Sequence, residues 1–355
     1  MAIVLVISTH SLGAFSSALG HGLWIGRLPL FYFGWTGVDL FFVLSGYLIG
    51  RQLWRELLAR GTINVPRFLL RRGLRIWPFY FAFLAWLMVT TSKPLVRYLH
   101  DALFVSNYFP GNVSGGWSLS VEEQFYVGVP LLLLLLDMIG IGIRRQWLVI
   151  VGLLALLPGI RWLTLHAYAD SLTADAIREV VLTPIHTHAD GLLAGVLVAW
   201  LSVCAPSVLA ARPLLGNLVL PATLAVGGFL LRSLDPELFG LSGLAMIFAG
   251  VVMFALRDRS VLLKVTRLRA FYVLSRLSYG MYLNHFGIVL FAAPIFAALG
   301  ASIGVYPAFL LGYVFSGVAS ALVSACTFLL IESPFLQLRD RWLAQKRSPA
   351  PATAG

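Results

Sequence analysis

Residues 117–136 read WSLSVEEQFYVGVPLLLLLL, so two adjacent carboxylates, Glu122 and Glu123, run straight into an unbroken leucine series from Leu131 to Leu136. An acid in or near hydrocarbon costs roughly 2.5–3.5 kcal/mol by insertion scales. Acids held at such a cost mark a functional site, and the leucines beside them mark a helix that crosses a membrane. The decapeptide, read with His10 and the arginines near residue 72, describes a membrane enzyme rather than an inert greasy chain.

The same pattern extends along the chain. Of 355 residues, 59% are hydrophobic and 12% charged, against about 25% charged in a soluble domain. A spanning helix needs about 20 mostly apolar residues, and ten such segments are found near 2–19, 31–50, 74–91, 117–138, 147–163, 180–202, 214–231, 238–256, 278–299 and 307–330. They are too long and too continuously apolar for the alternating strands of about 10 residues in a membrane barrel. The predicted fold is therefore an all-α polytopic membrane protein of about ten transmembrane helices. The first segment lacks a basic lead-in and a cleavage site, and His10 interrupts it, so it reads as a retained span. Of the 26 Lys and Arg, 20 fall on one set of loops, which predicts cytoplasmic placement of those loops and of both termini. The net charge of +11 is thus a topology signal, and nucleic-acid binding is not expected. Cys204 and Cys326 have no metal-ligand spacing and read as small buried hydrophobes, with no metal site implied. The organisation is one membrane domain over 1–335, then a short cytoplasmic, disordered tail over 336–355.

Four polar clusters break the apolar background. His10, within Ser8-Thr9-His10-Ser11, is suited to general-base work at neutral pH, or to satisfied burial in a helix. Asp39 stands beside Phe41-Phe42 and needs a histidine or arginine partner, while Ser45-Gly46 suits close helix packing. Arg71, Arg72 and Arg75 open the third span. Arg72 and Arg75, three apart, share a helix face fit for phosphate contacts, and the same group also reads as an interfacial anchor with Trp77 and Tyr80. Glu122 and Glu123 point about 100° apart on a helix, so one pairs inside the bundle while the other faces outward. Glu122 shares its face with Phe125 and Tyr126. The predicted topology puts Glu122 at the outer entrance of its span and Arg72 at the cytoplasmic face, so the two motifs are expected not to form one surface site. His186 and His188 read as structural residues at a helix end.

With these residues in place, the chain resembles the acyltransferase 3 family of integral-membrane O-acyltransferases. The matching pieces are His10, FFVLSG (41–46), Arg72 and Arg75 before Ile-x-Pro, SLSVEEQFY (118–126), SYGMYLNHF (278–286) and the late Glu332-Ser333-Pro334, in the family's order. The family's basic residue eleven positions before the histidine would fall ahead of Met1, so either the start is truncated or another arginine stands in. The resemblance implies transfer of an acyl group, commonly acetyl from acetyl-CoA as donor substrate, to a hydroxyl of a carbohydrate or glycosylated small molecule. It further implies His10 as the catalytic histidine, oriented by Asp39 or Glu122, with Arg72, Arg75 and neighbouring Arg71 holding the acyl-CoA. The expected setting is the bacterial cytoplasmic (inner) membrane, with a separate extracytoplasmic transferase as a possible partner. A transporter for a polar substrate is the rival reading; it predicts paired broken helices in two halves, which the sequence does not display.

Overall fold

The computed structural model describes residues 2–168, 173–206, 218–256 and 268–345. These residues form helices joined by short turns, with no strand among them. In chain order the α-helices are α1 (Ala2–Leu19), α2 (Pro29–Tyr32), α3 (Gly37–Arg60), α4 (Val65–Thr90), α5 (Leu95–Ala102), α6 (Gly116–Met138), α7 (Gln146–Tyr168), α8 (Ala174–Leu182), α9 (Asp190–Cys204), α10 (Leu220–Leu234), α11 (Pro236–Ala255), α12 (Arg269–Ile303), α13 (Val305–Thr327) and α14 (Ser333–Gln345). A five-residue π-helical turn, Phe328–Glu332, joins α13 to α14.

Seven of the described helical segments are long and apolar enough to cross a membrane: α1, α4, α6, α7, α11, α12 and the run Val305–Trp342. Helices α9 and α10 are apolar but only 15 residues each. Helix α3 is long, yet its second half carries Arg51, Arg55, Glu56 and Arg60. In hydrocarbon, backbone groups must bond within the chain, which selects helices for all of these segments.

Several predicted boundaries shift. The third span begins at Val65 rather than 74, because Asn64 caps the helix, its side chain accepting the Arg67 amide at 3.0 Å, with Pro66 in the first turn. Arg71, Arg72 and Arg75 therefore lie two to three turns inside α4, not at its mouth. The predicted sixth segment, 180–202, is broken: α8 ends at Leu182, and Pro184 starts a turn that reaches Ala189 before α9 begins. The tail predicted from 336 is helical as far as Gln345, since α14 continues the run from Ser333; residues 346–355 lie outside the described residues. Cys326 is exposed and Cys204 half-buried, so neither is the fully buried residue expected.

The bundle is assembled from helix pairs, α3 running parallel to α9, and α10 with α11 and α12 with α13 antiparallel, with α1 lying along α12. The α3–α9 pair has the closest backbone approach. A Cβ on Gly46 would collide with the Leu192 carbonyl, and one on Gly195 with the Val43 carbonyl. Small residues at such crossings let backbones meet where hydrocarbon supplies no hydrophobic drive. The main core, including Phe42, Trp54, Leu133, Ile150 and Leu192, fills the space between α3, α6, α7 and α9, and fixes the helix faces that carry the polar groups.

Candidate functional site

Three polar groups come together inside the bundle. The first is built on α3, α4 and α6. Glu122 is buried, and its Oε1 accepts hydrogen bonds from Ser45 Oγ and Tyr126 OH. Tyr126 stands one turn along the helix from Glu122, as spacing predicted, and its ring faces the Arg72 guanidinium at 5.5 Å. The expected separation of the two motifs is thus overturned. Arg72 starts from well inside α4, and its long side chain reaches Tyr126. The adjacent Glu123 accepts the Trp77 Nε1–H at its Oε2 (3.1 Å), while its Oε1 is buried without a partner among the described residues.

Beside Arg72 lies a cavity of about 260 Å³ lined by Gln52, Arg71, Arg72, Arg75, Arg339 and Asp340. Four guanidinium groups facing one space suit a multiply charged phosphate ester, because guanidinium pairs bidentately with phosphate oxygens. Arg339 comes from α14, which packs on α4, and no sequence spacing announced it. Its guanidinium bonds Asp340 at 2.8 Å. Among the described residues, no group of three or more His, Cys, Asp or Glu is placed to hold a metal ion.

The second group joins α1 to α12. His10 is half-buried, with its ring 5.2 Å from His285 and edge-on to Phe286 at 5.1 Å. His285 Nδ1 lies 2.8 Å from the Tyr282 carbonyl and 3.1 Å from that of Met281. The Tyr282 hydroxyl in turn meets Ser118 Oγ at 2.5 Å and donates to the Gly115 carbonyl at 3.2 Å. Tyr279, from the same SYGMYLNHF stretch, donates to the Ile76 carbonyl of α4 at 3.0 Å. Sequence motifs far apart in the chain therefore converge through α12.

The third group holds the turn before α9. Asp39 is buried and bonded to His188 Nε2 at 2.9 Å. It met the histidine partner that its position demanded, but that histidine is His188 and not His10. The His188 ring stacks on Trp117 at 5.5 Å, and its Nδ1 lies 2.6 Å from the Leu182 carbonyl. Beneath the turn, Arg161 is fully buried. It donates to Asp190 at 2.8 and 3.3 Å, to the carbonyls of Thr187 (2.9 Å) and Leu238 (2.7 Å), and to Ser242 Oγ at 2.6 Å. A buried arginine needs an acid, and that signal at Arg161 and Asp190 was present in the sequence although neither residue was singled out. On the exposed side of the turn, His186 stacks parallel to Tyr108, at 5.7 Å, and burial lowers its pKa from the usual 6.5.

The family model for the Acyltransferase domain matches residues 1–329. The chain belongs to that family. Among similar proteins are the peptidoglycan O-acetyltransferase OatA of Listeria monocytogenes, 26% identical over 74% of this chain and 46% of its own length, and the O-acetyltransferase OatA of Staphylococcus aureus, 26% identical over 85% of this chain and 52% of its own. The chain spans about half the length of these curated relatives. No solved structure matches it.

Proposed function

We propose that this chain is a membrane O-acetyltransferase that moves an acetyl group from acetyl-CoA to a hydroxyl of a carbohydrate or glycosylated acceptor. The observation that carries the reading is the four-arginine cavity adjoining the Glu122–Tyr126–Ser45 cluster, in a bundle that also holds His10. Arg71, Arg72, Arg75 and Arg339 would take the donor's phosphates; their charge and spacing around about 260 Å³ fit such a group. Glu122 neutralises part of that charge and fixes Tyr126 beneath Arg72. His10 acts as the base for the acceptor hydroxyl, a role worth about 10²–10⁴-fold. Asp39, through His188, holds the turn between α8 and α9 instead of touching His10.

In this reading the chain crosses a bacterial cytoplasmic membrane about ten times, with α9 in place of the continuous segment 180–202, and the arginine cavity and both termini lie on the cytoplasmic side. The donor then enters from the compartment that contains it, and the acceptor is a surface glycan, a reading supported by the likeness to the peptidoglycan O-acetyltransferase of Listeria monocytogenes. A separate extracytoplasmic transferase is a candidate partner for the last transfer. The test is purified protein in lipid nanodiscs with labelled acetyl-CoA and a peptidoglycan or polysaccharide fragment. Label on the acceptor, lost in His10→Ala, is expected. Uptake of a polar solute into vesicles without label transfer would instead support the transporter reading.

A further inference from the structure

His285 is buried with 2% of its surface accessible, and no carboxylate pairs with it among the described ion pairs. Both groups that approach its Nδ1 are backbone carbonyls, of Tyr282 and Met281. A carbonyl can only accept, so Nδ1 carries the proton and Nε2 of the neutral ring is a bare acceptor. Among the described residues, that Nε2 has no hydrogen-bond partner. A buried acceptor without a donor is unfavourable, and the His10 ring lies beside the His285 ring, with centroids 5.2 Å apart and planes tilted by 51°. Phe286, on the next position of α12, closes on His10 from another side, which limits the orientations that the imidazole can take.

We propose that His285 is the residue that orients His10, its Nε2 taking a hydrogen bond from one ring N–H of His10. This fixes the other His10 nitrogen as the unprotonated one that faces the acceptor hydroxyl. The inference rests on the reading of His10 as the base. In the transfer, the hydroxyl proton passes to His10, the oxygen bonds to the thioester carbonyl carbon, and the carbon–sulfur bond breaks. The departing thiolate then takes the proton from His10, and both histidines end as they began. While His10 is cationic, its N–H points at the His285 lone pair, which stabilises the charge that develops there. This is the logic of a base held by a third group, with a neutral imidazole in the place where an acid was expected. His285 is a positioning residue and touches no substrate.

Two substitutions separate this role from packing. An asparagine amide can reproduce Nδ1 but has no atom at the Nε2 position, whereas a glutamine amide can place its oxygen there. With labelled acetyl-CoA and an acceptor glycan fragment, His285→Asn should lose kcat by about 10²-fold or more, approaching His10→Ala, with KM for acetyl-CoA held. His285→Gln should keep the larger part of kcat. Equal activity of the two variants, or better activity of His285→Asn, overturns the proposal. A second measurement does not depend on turnover. In nanodisc protein labelled with ¹⁵N-histidine, the signal lost in His285→Asn should be a Nδ1–H tautomer, and its Nε2 resonance should move in His10→Ala. An unmoved resonance overturns the proposal. If the wild type transfers no label from acetyl-CoA, the proposed function fails, while the ¹⁵N experiment still decides whether His10 and His285 are coupled.

Discussion

Arg339 and Asp340 make opposite predictions at one cavity. Arg339 lines the phosphate-sized space beside Arg72, but its guanidinium is bound to Asp340 at 2.8 Å. The Arg339 side chain is 25% exposed and that of Asp340 65% exposed. Solvent therefore screens the pair, and an exposed ion pair is worth about 0.2–1 kcal/mol. Asp340→Asn frees Arg339 and removes a negative charge from the cavity, so the donor should bind about 1.5–5-fold more tightly. On the proposed reading, Arg339→Gln removes one charge-assisted contact to the donor's phosphates. Such contacts reach about 1.5–3 kcal/mol when dry, and discounting for exposure to about 1 kcal/mol gives an increase in KM of roughly 5-fold. Arg72→Gln, at a more enclosed position, should cost about 10-fold or more. The assay is the initial rate in nanodiscs against acetyl-CoA concentration at fixed acceptor, with kcat nearly constant across the set, as expected for uniform binding contacts. In about 1 M salt the Debye length shrinks to about 3 Å, and the Asp340→Asn gain should disappear. A higher KM in Asp340→Asn, or an unchanged KM in Arg339→Gln beside a raised one in Arg72→Gln, would refute the reasoning.

Three further outcomes concern groups outside the arginine cavity. Asp190→Asn leaves the Arg161 guanidinium buried without a counter-ion and should cost about 3–5 kcal/mol, read as a lower melting temperature in detergent; the joint replacement Arg161→Met with Asp190→Leu should be less damaging than Asp190→Asn. Gly195→Val drives a side chain into the Val43 carbonyl of α3, and the strain of at least about 1–3 kcal/mol should appear as reduced yield and lower melting temperature. Burial lowers the His186 pKa from 6.5, so the folded state binds fewer protons than the unfolded one. Its share of stability is present above pH 6.5 and is lost as pH falls through the lowered value, and His186→Gln should flatten that part of a melting-temperature profile.

Much of the scaffold was legible because it is governed by one-dimensional quantities. Apolar length marked the seven described helical segments able to cross a membrane, Gly46 marked a close crossing, and the four-residue spacing put Tyr126 on the face of Glu122. The lone Asp39 announced a cationic or imidazole partner. What could not be read depended on helix rotation and register across the bundle. Topology alone put Arg72 and Glu122 at opposite faces, since it ignored how far α4 extends before Arg72 and how far an arginine reaches. Nothing in the spacing links His10 to His285, or α14 to the arginines of α4. The turn carrying His188 was hidden inside an apolar stretch, where Pro184 was the sign that a single helix would not continue.

The π turn at Phe328–Glu332 sets the phase of everything after it. A π turn holds one residue more than an α turn, and each residue of an α-helix advances the face by about 100°. The extra residue thus aims Arg339 at the cavity on α4 rather than along some other bearing. Winding the same residues as a regular α-helix would turn Arg339 by about 100°, whereas deleting one residue between Phe328 and Ile331 and letting the helix run on would leave it close to its present bearing. In this segment the winding of the chain, as much as the identity of its residues, carries the information.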